Sequence, residues 1–342
     1  MKALAFNEFG GPEKLRLQDV PDPKAAPGEV VVRVRACALN HLDIFVREGI
    51  PALKTPLPFW TGCDIAGDVA KVGPDVTGLR VGDRVCVNPN LTCGRCEFCI
   101  QGEDSLCVRY GIVGEHLPGG LAELVAVSAE NVLPLPAHVS YEHAASFILT
   151  NMTAWRMVVT QARVRPGEDV LILGVGGGVS STAVQIAKLC GARVLVTSSS
   201  EAKLERARQL GADVSINYAK EDWESAVYEK TAKRGVDVVL ENVGAQTWKQ
   251  SLRSLRKGGR LVTCGATTGP IAETDIRIVF WKQIHIIGST MANRREFNDV
   301  MRLFFAGRLK AIVDEIVPLK DGAAAQRRLA EGRQFGKIVL TV

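Results

Sequence analysis

Four of the chain's nine cysteines fall inside one short stretch, NPNLTCGRCEFCIQGEDSLCVRY, residues 88–110. Cys93, Cys96, Cys99 and Cys107 are separated by two, two and seven residues. Three thiols at every third position, with Gly94 allowing a tight turn between two of them, let one loop wrap a tetrahedral ion. In a reducing compartment such a cluster points to metal before disulfide. Four thiolates complete the shell of Zn²⁺ and leave no position for substrate. The spacing therefore predicts a structural zinc lobe over 88–110 and puts the chemistry elsewhere.

A second stretch with chemical meaning is GVGGGVS, residues 174–180. It lies between an apolar run fit for a buried strand, Val170–Leu173, and a segment with helical spacing, Ala183, Val184, Ala187 and Cys190. Glycines there let backbone approach a pyrophosphate, and the following helix N-terminus stabilises its charge. Gly174, Gly176, Gly177, Gly178 and Val179 are the expected contacts, although Val179 or Ser180 stands where the strict glycine pattern has its last glycine. The next strand, Val194–Val196, runs into Thr197-Ser198-Ser199-Ser200, with no carboxylate before Glu201. A carboxylate there would bind the ribose 2′-hydroxyl of NAD. Hydroxyls such as Ser198, followed by Lys203, suit the 2′-phosphate of NADP and favour NADP(H) over NAD(H).

These groups must be held by two kinds of architecture. EVVVRVRAC, residues 29–37, alternates Val30, Val32 and Val34 with Arg33 and Arg35, as a half-exposed strand does. Residues 62–87 are β-branched and punctuated by glycine, which predicts strands joined by turns. After about residue 150 strands alternate with helices: KLERARQLGADVSINY, GVDVVLENVG, GGRLVTCG and IHIIGSTM continue the series, which implies a doubly wound parallel sheet. EFNDVMRLFFAGRL reads as a helix and GKIVLTV as a closing strand. Hydrophobic content of 46%, charged content of 23% and a net charge of +5 with no basic run suit a globular protein and make nucleic acid a poor partner. The first residues lack the apolar core of a signal peptide and no run is long enough to span a bilayer, so a cytoplasmic protein without a membrane partner is expected.

Taken together, GCDIAGDVAKVG, VGDRV, the four-cysteine lobe, GVGGGVSSTAVQIAK, LGADVSINY and KGGRLVTCG resemble the medium-chain dehydrogenase/reductase superfamily over essentially the whole chain. This superfamily includes zinc alcohol dehydrogenases and zinc-independent quinone oxidoreductases. The resemblance implies an α/β chain. A GroES-like partly open β-barrel would occupy 1–150 and 286–342, and a Rossmann domain 151–285. It also implies Asn40, His41 and Asp43 in the catalytic cleft, and Asn151 and Thr153 near the cofactor. Lys203, Tyr218 and Arg333 match contacts to an NADPH 2′-phosphate. Asn242, Gly265 and Ala266 would flank the rest of the dinucleotide.

The chain departs from the zinc alcohol dehydrogenases at each catalytic-zinc position. Asn40 stands for the first cysteine, Cys63 for histidine and Leu149 for the last ligand, while Leu42 replaces the hydroxyl proton relay. Alcohol oxidation needs an alkoxide, which zinc provides by lowering the hydroxyl pKa; reducing a quinone, enone or enoyl thioester needs only donors for the oxygen that gains charge, such as Asn40 and His41. The leading expectation is therefore an NAD(P)H-dependent reductase with one structural zinc. Two alternatives remain: an alcohol dehydrogenase with an atypical second zinc around Cys37, His41, Cys63 and Asp64, and an NADPH-binding sensor or structural protein. Phe45, Phe59, Trp60 and Met291 are candidate lining for an apolar substrate pocket. IHIIGSTM is apolar enough to pair with its copy, which predicts a homodimer or homotetramer acting on a small-molecule substrate.

Overall fold

The computed structural model describes residues 1–51 and 53–342. In chain order, the elements that position functional groups begin with β1 (Glu29–Ala38), α1 (His41–Glu48), β2 (Asp64–Val72), β3 (Arg84–Val87), β4 (Leu124–Ser128), β5 (Val132–Pro134) and α2 (Leu149–Trp155). There follow β6 (Asp169–Ile172), α3 (Gly178–Leu189), β7 (Arg193–Ser198), α4 (Glu201–Gln209), β8 (Val214–Asn217), β9 (Val236–Glu241), β10 (Leu255–Thr263) and β11 (His285–Gly288). The chain closes with α5 (Arg294–Phe305), β12 (Val313–Pro318) and β13 (Lys337–Thr341). The chain divides into two compact units, one made of Met1–Leu149 with Asn293–Val342 and the other of Thr150–Ala292.

The first unit is built on a seven-stranded sheet in the order β12-β13-β1-β2-β3-β5, with β4 also paired to β1. Its centre is β1, whose alternation buries Val30, Val32 and Val34 and exposes Arg33 and Arg35, as its sequence predicts. Gly67 in β2 is required by packing, because a Cβ there would stand 2.0 Å from the Arg33 carbonyl oxygen. The chain enters α5 through a reciprocal cap: Asn293 N–H donates to Glu296 Oε2 at 2.7 Å, and Glu296 N–H donates to Asn293 Oδ1 at 2.9 Å. That cap orients an apolar face of Phe297, Val300, Met301 and Phe304, all buried. Phe59, a candidate pocket residue by sequence, is fully buried in this unit's core and meets Phe6 edge to face.

The second unit is a six-stranded all-parallel sheet in the order β8-β7-β6-β9-β10-β11, the doubly wound arrangement expected from the strand–helix alternation. The strand IHIIGSTM belongs to it as the edge strand β11, and the chain leaves the unit only after Ala292. Buried Leu171, Leu195, Val239 and Leu261 form the middle of its core. No helix among the described residues is long and apolar enough to cross a membrane.

Candidate functional site

The cysteine lobe comes together as its spacing requires. The ligand atoms of Cys93, Cys96, Cys99 and Cys107 all lie within 4.8 Å of one another, with Cys96–Cys99 at 3.5 Å and Cys93–Cys99 at 4.0 Å. A tetrahedral ion with Zn–S bonds of about 2.3 Å needs sulfur atoms about 3.8 Å apart, so the four thiols fit it. Backbone N–H groups of Cys93 and Arg109 donate to Cys107 Sγ at 3.2 and 3.3 Å, the bonds that stabilise a thiolate. The backbone at Arg95 does the same for Cys93, whose thiol is brought down to about 6.

In the second unit the glycine loop joins β6 to α3. Gly174 (φ +59) and Gly176 (φ +152) occupy backbone regions that a side chain disfavours. Gly174 N–H donates to Thr197 Oγ1 at 3.2 Å, and Val175 N–H to the Thr197 carbonyl at 2.8 Å, so the loop is tied to the end of β7. Gly177 caps α3, and Gly178 and Val179 form its first turn, half-buried with their N–H groups at the helix start. A Cβ on Gly176 would stand 2.9 Å from Lys203 Cδ and 3.2 Å from its Nζ, so the Lys203 ammonium lies over the loop. Ser198 ends β7 and its carbonyl accepts from Tyr218 N–H at 3.1 Å, while the Tyr218 ring is about half exposed. Glu201, the first carboxylate after β7, is engaged with Arg208 and Asn217.

Other predicted cofactor residues gather around the same sheet. Asn242 Nδ2 donates to Ser180 Oγ at 3.2 Å, joining the end of β9 to the start of α3. A Cβ on Gly265 would lie 3.3 Å from the Asn242 carbonyl oxygen, and one on Gly244 2.8 Å from Ala266 Cα. Asn151 Oδ1 accepts from Thr182 Oγ1, and Thr153 Oγ1 meets Met291 Sδ at 3.8 Å. Arg333 belongs to the first unit, where it is exposed and paired with Glu331.

The third group of candidates lies where β1 ends. Register places it there: β13 pairs antiparallel with β1 through Val339↔Ala38, and β2 pairs antiparallel with β1 through Asp64↔Ala38. Two residues beyond Ala38, Asn40 shares a face with Asp64 and with Lys337, the first residue of β13. Lys337 Nζ donates to Asn40 Oδ1 at 2.6 Å and meets Asp64 Oδ2 at 2.9 Å. Asn40 Nδ2 donates to the same Asp64 oxygen at 2.9 Å and to Cys63 Sγ at 3.3 Å. These partners fix which way the amide points, since an ammonium can face only its oxygen and a carboxylate only its nitrogen. Asp64 Oδ1 accepts the Leu149 N–H at 2.8 Å. Asp43 accepts from Asn40 N–H at 2.7 Å and Gly62 N–H at 2.8 Å, which braces the start of α1. Burial pushes the Asp43 carboxyl up, and burial together with these carboxylates pushes the Cys37 and Cys63 thiols well above their ordinary range. His41, first residue of α1, is half-buried; burial and then the Lys337 charge lower its pKa, so its ring is neutral at pH 7.

Residues 178–306 match the family described as zinc-binding dehydrogenase, and residues 26–137 match the alcohol dehydrogenase GroES-like domain. An alcohol dehydrogenase of Geobacillus stearothermophilus is 35% identical, covering 100% of both chains. Acryloyl-coenzyme A reductase of Metallosphaera sedula is 31% identical, again over 100% of both. The crystal structure of an NAD-dependent alcohol dehydrogenase superposes with a TM-score of 0.97 at 46% identity, covering 100% of both chains. The chain belongs to the medium-chain dehydrogenase/reductase superfamily. The GroES-like match lies within the first unit, the second unit carries a Rossmann-type parallel sheet, and the chain is an NAD(P)-dependent oxidoreductase.

Within this superfamily the positions of Asn40, Cys63 and Leu149 are those implied above for catalytic zinc. Here they bring an amide, a protonated thiol and an apolar side chain, and a fixed ammonium stands against two of the neighbouring groups. That set does not fit a metal ion. Cys37, His41, Cys63 and Asp64 do not converge either: among the described residues the lobe cysteines are the one group of three or more ligand atoms close enough to share an ion. Lys337 is the member of this candidate site that the sequence reading missed. Its one local signal is a charge opening the otherwise apolar strand KIVLT.

Proposed function

We propose that the protein reduces activated C=C bonds or quinones with NADPH, without a catalytic zinc, and that the lobe of Cys93, Cys96, Cys99 and Cys107 holds one structural zinc. The observation that supports this most directly is the Lys337–Asn40–Asp64 network, which fills with the chain's own groups the place where zinc would be bound. The nicotinamide, when bound, supplies the hydride. The acceptor then needs a donor for the oxygen on which negative charge develops. Both amide protons of Asn40 are engaged within the protein, so we assign that donor role to His41. A neutral imidazole keeps one N–H at pH 7 and donates it without adding a fixed charge. Asp43 holds the start of α1, and so the position of His41, through the N–H groups of Asn40 and Gly62. A proton from water completes the reduced product. The acryloyl-coenzyme A reductase among the relatives supports an enoyl thioester as one acceptor class.

For the cofactor, Gly174–Val179 hold the pyrophosphate. Ser198, Lys203 and Tyr218 favour the 2′-phosphate of NADP(H), because Glu201, the first carboxylate after β7, is turned to Arg208 and Asn217. The high identity to an NAD-dependent alcohol dehydrogenase favours a second reading, alcohol oxidation with NAD. One experiment separates them. Zinc per chain is measured on protein purified without added metal. NADPH and NADH are then tested with enones, quinones and acryloyl-coenzyme A, and NAD(P)⁺ with alcohols. We expect one zinc per chain and NADPH-dependent reduction. Two zincs per chain with chelator-sensitive alcohol oxidation would sink the proposal.

A further inference from the structure

The alternation that buries Val32 and Val34 in the first unit turns Arg33 and Arg35 to the opposite face of β1. Register on β2 sets Asp68 opposite Arg33, and register on β3 sets Arg84 opposite the same Asp68. These four residues line a groove of about 460 Å³ together with exposed Val81 and with Tyr141, first residue of the short helix Tyr141–Ala145. The volume is that of a small-molecule site. Arg35 Nε donates to Asp68 Oδ2 at 2.7 Å, and the Tyr141 hydroxyl donates to Asp68 Oδ1. Burial alone would push the Asp68 carboxyl up, but these two donors hold it below its ordinary value, so it is ionised at pH 7. Arg84 lies over the Tyr141 ring, 4.5 Å from its centroid, and donates to the Pro136 and Val139 carbonyls at 3.0 and 2.7 Å.

One carboxylate thus stands among three guanidinium groups, and the groove keeps a charge of +2. Its donors are unequally spent. Arg84 is committed to neutral carbonyls and supplies charge alone. Arg35 is fixed through Nε and keeps both Nη groups, and Arg33 has no hydrogen-bond or ion partner among the described residues. A lone exposed arginine is ordinarily a solvated surface group. Here two guanidinium forks stand on one face two residues apart along a strand, a spacing of about 7 Å, and one of them is already held in place. A tetrahedral dianion between them accepts from both forks and matches the uncompensated charge. We propose that this groove is a second ligand site, in which Arg33 and Arg35 bind the dianionic phosphate of a small phosphorylated molecule. Asp68 acts there as a positioning residue, since its carboxylate holds Arg35. The site is built wholly from the first unit and shares no residue with the glycine loop or with the Asn40 network, so it does not rest on the functional reading above.

The test is calorimetric titration of the full-length chain at low ionic strength with ribose 5-phosphate and with inorganic phosphate, ribose serving as the uncharged control. It is run in a Lys203→Ala background, so that the 2′-phosphate contact assigned above is absent. We expect one saturable site per chain for ribose 5-phosphate, weakening as salt rises, and none for ribose. Arg33→Ala should weaken that site by about tenfold or more. Arg33 has no protein partner to lose, so this variant should unfold at the parent's urea midpoint. Arg35→Lys keeps the charge but loses the planar fork, and should weaken the site by about threefold or more. Inorganic phosphate bound as tightly as ribose 5-phosphate would support recognition through the dianion alone; tighter binding of ribose 5-phosphate would support an added contact from the Val81 side. Inorganic phosphate bound while ribose 5-phosphate is not would overturn the assignment to a phosphorylated molecule. No saturable binding of either probe, or binding that Arg33→Ala leaves within about twofold, overturns the site itself.

Discussion

His41 and Asn40 are adjacent in the chain but have different physical situations. Asn40 is buried and saturated by protein partners, whereas His41 is half-buried and held neutral by its surroundings. The lowered pKa makes a signed prediction. Below the ordinary histidine value of about 6.5 an unfolded chain binds a proton that folded His41 resists, so the unfolded state binds more protons and stability rises with pH across that window. His41→Phe should flatten this slope, as read from urea unfolding midpoints at pH 5.5 and 7.5. The same variant should lower kcat for enone or quinone reduction by about 10²-fold, the usual scale for a positioned donor. A variant with undiminished kcat would remove His41 from the mechanism.

At the scale of elements, the Rossmann sheet is held at its lower end by one buried carboxylate. Asp237, second residue of β9, accepts from Asp169 N–H at 2.9 Å and from Arg234 Nη2 at 2.7 Å, and Arg256 on β10 closes on it as well. Burial alone would push the carboxyl up, but the two guanidinium groups hold it well below the usual carboxylate range. Its stabilising effect is therefore complete above the unfolded value of about 4 and is lost as pH falls below it. Asp237→Asn removes the carboxylate that Arg234 and Arg256 share. We expect it to cost about 2 kcal/mol at pH 7, a figure below that of a fully buried pair because Arg234 is half exposed. The difference from the parent chain should shrink toward pH 3, as measured by chemical denaturation. An equal loss at both pH values would mean that packing, not charge, is what Asp237 contributes.

At the scale of the whole molecule, the exposed apolar side chains are not evenly spread. Ile276, Phe280 and Trp281 precede β11, which is an edge strand and exposes Ile286. An unpaired edge flanked by exposed aromatic groups is a ready surface for a second copy. We expect light scattering to give the mass of two or four chains, and Ile286→Lys to lower it to one. A parent chain that is already monomeric at working concentration would overturn this.

Local rules made much of this molecule legible in its sequence. Alternation in residues 29–37, the cysteine spacing and the glycine loop between strand and helix each depend only on near neighbours, and each is found where it is read. Phe59 looked like pocket lining because an aromatic residue has the same local pattern in a core as in a cleft; its burial against Phe6 is a tertiary outcome. The candidate site shows the same division. Asn40, His41 and Asp43 were implied by the family resemblance. Which of them is free to donate could not be read that way, because that depends on Lys337, brought to Asn40 by the register of β13 on β1 across most of the chain. Residue type and spacing determined what this protein could hold; strand pairing decided which charge stands beside which donor, because register is set by long-range packing that no local segment contains.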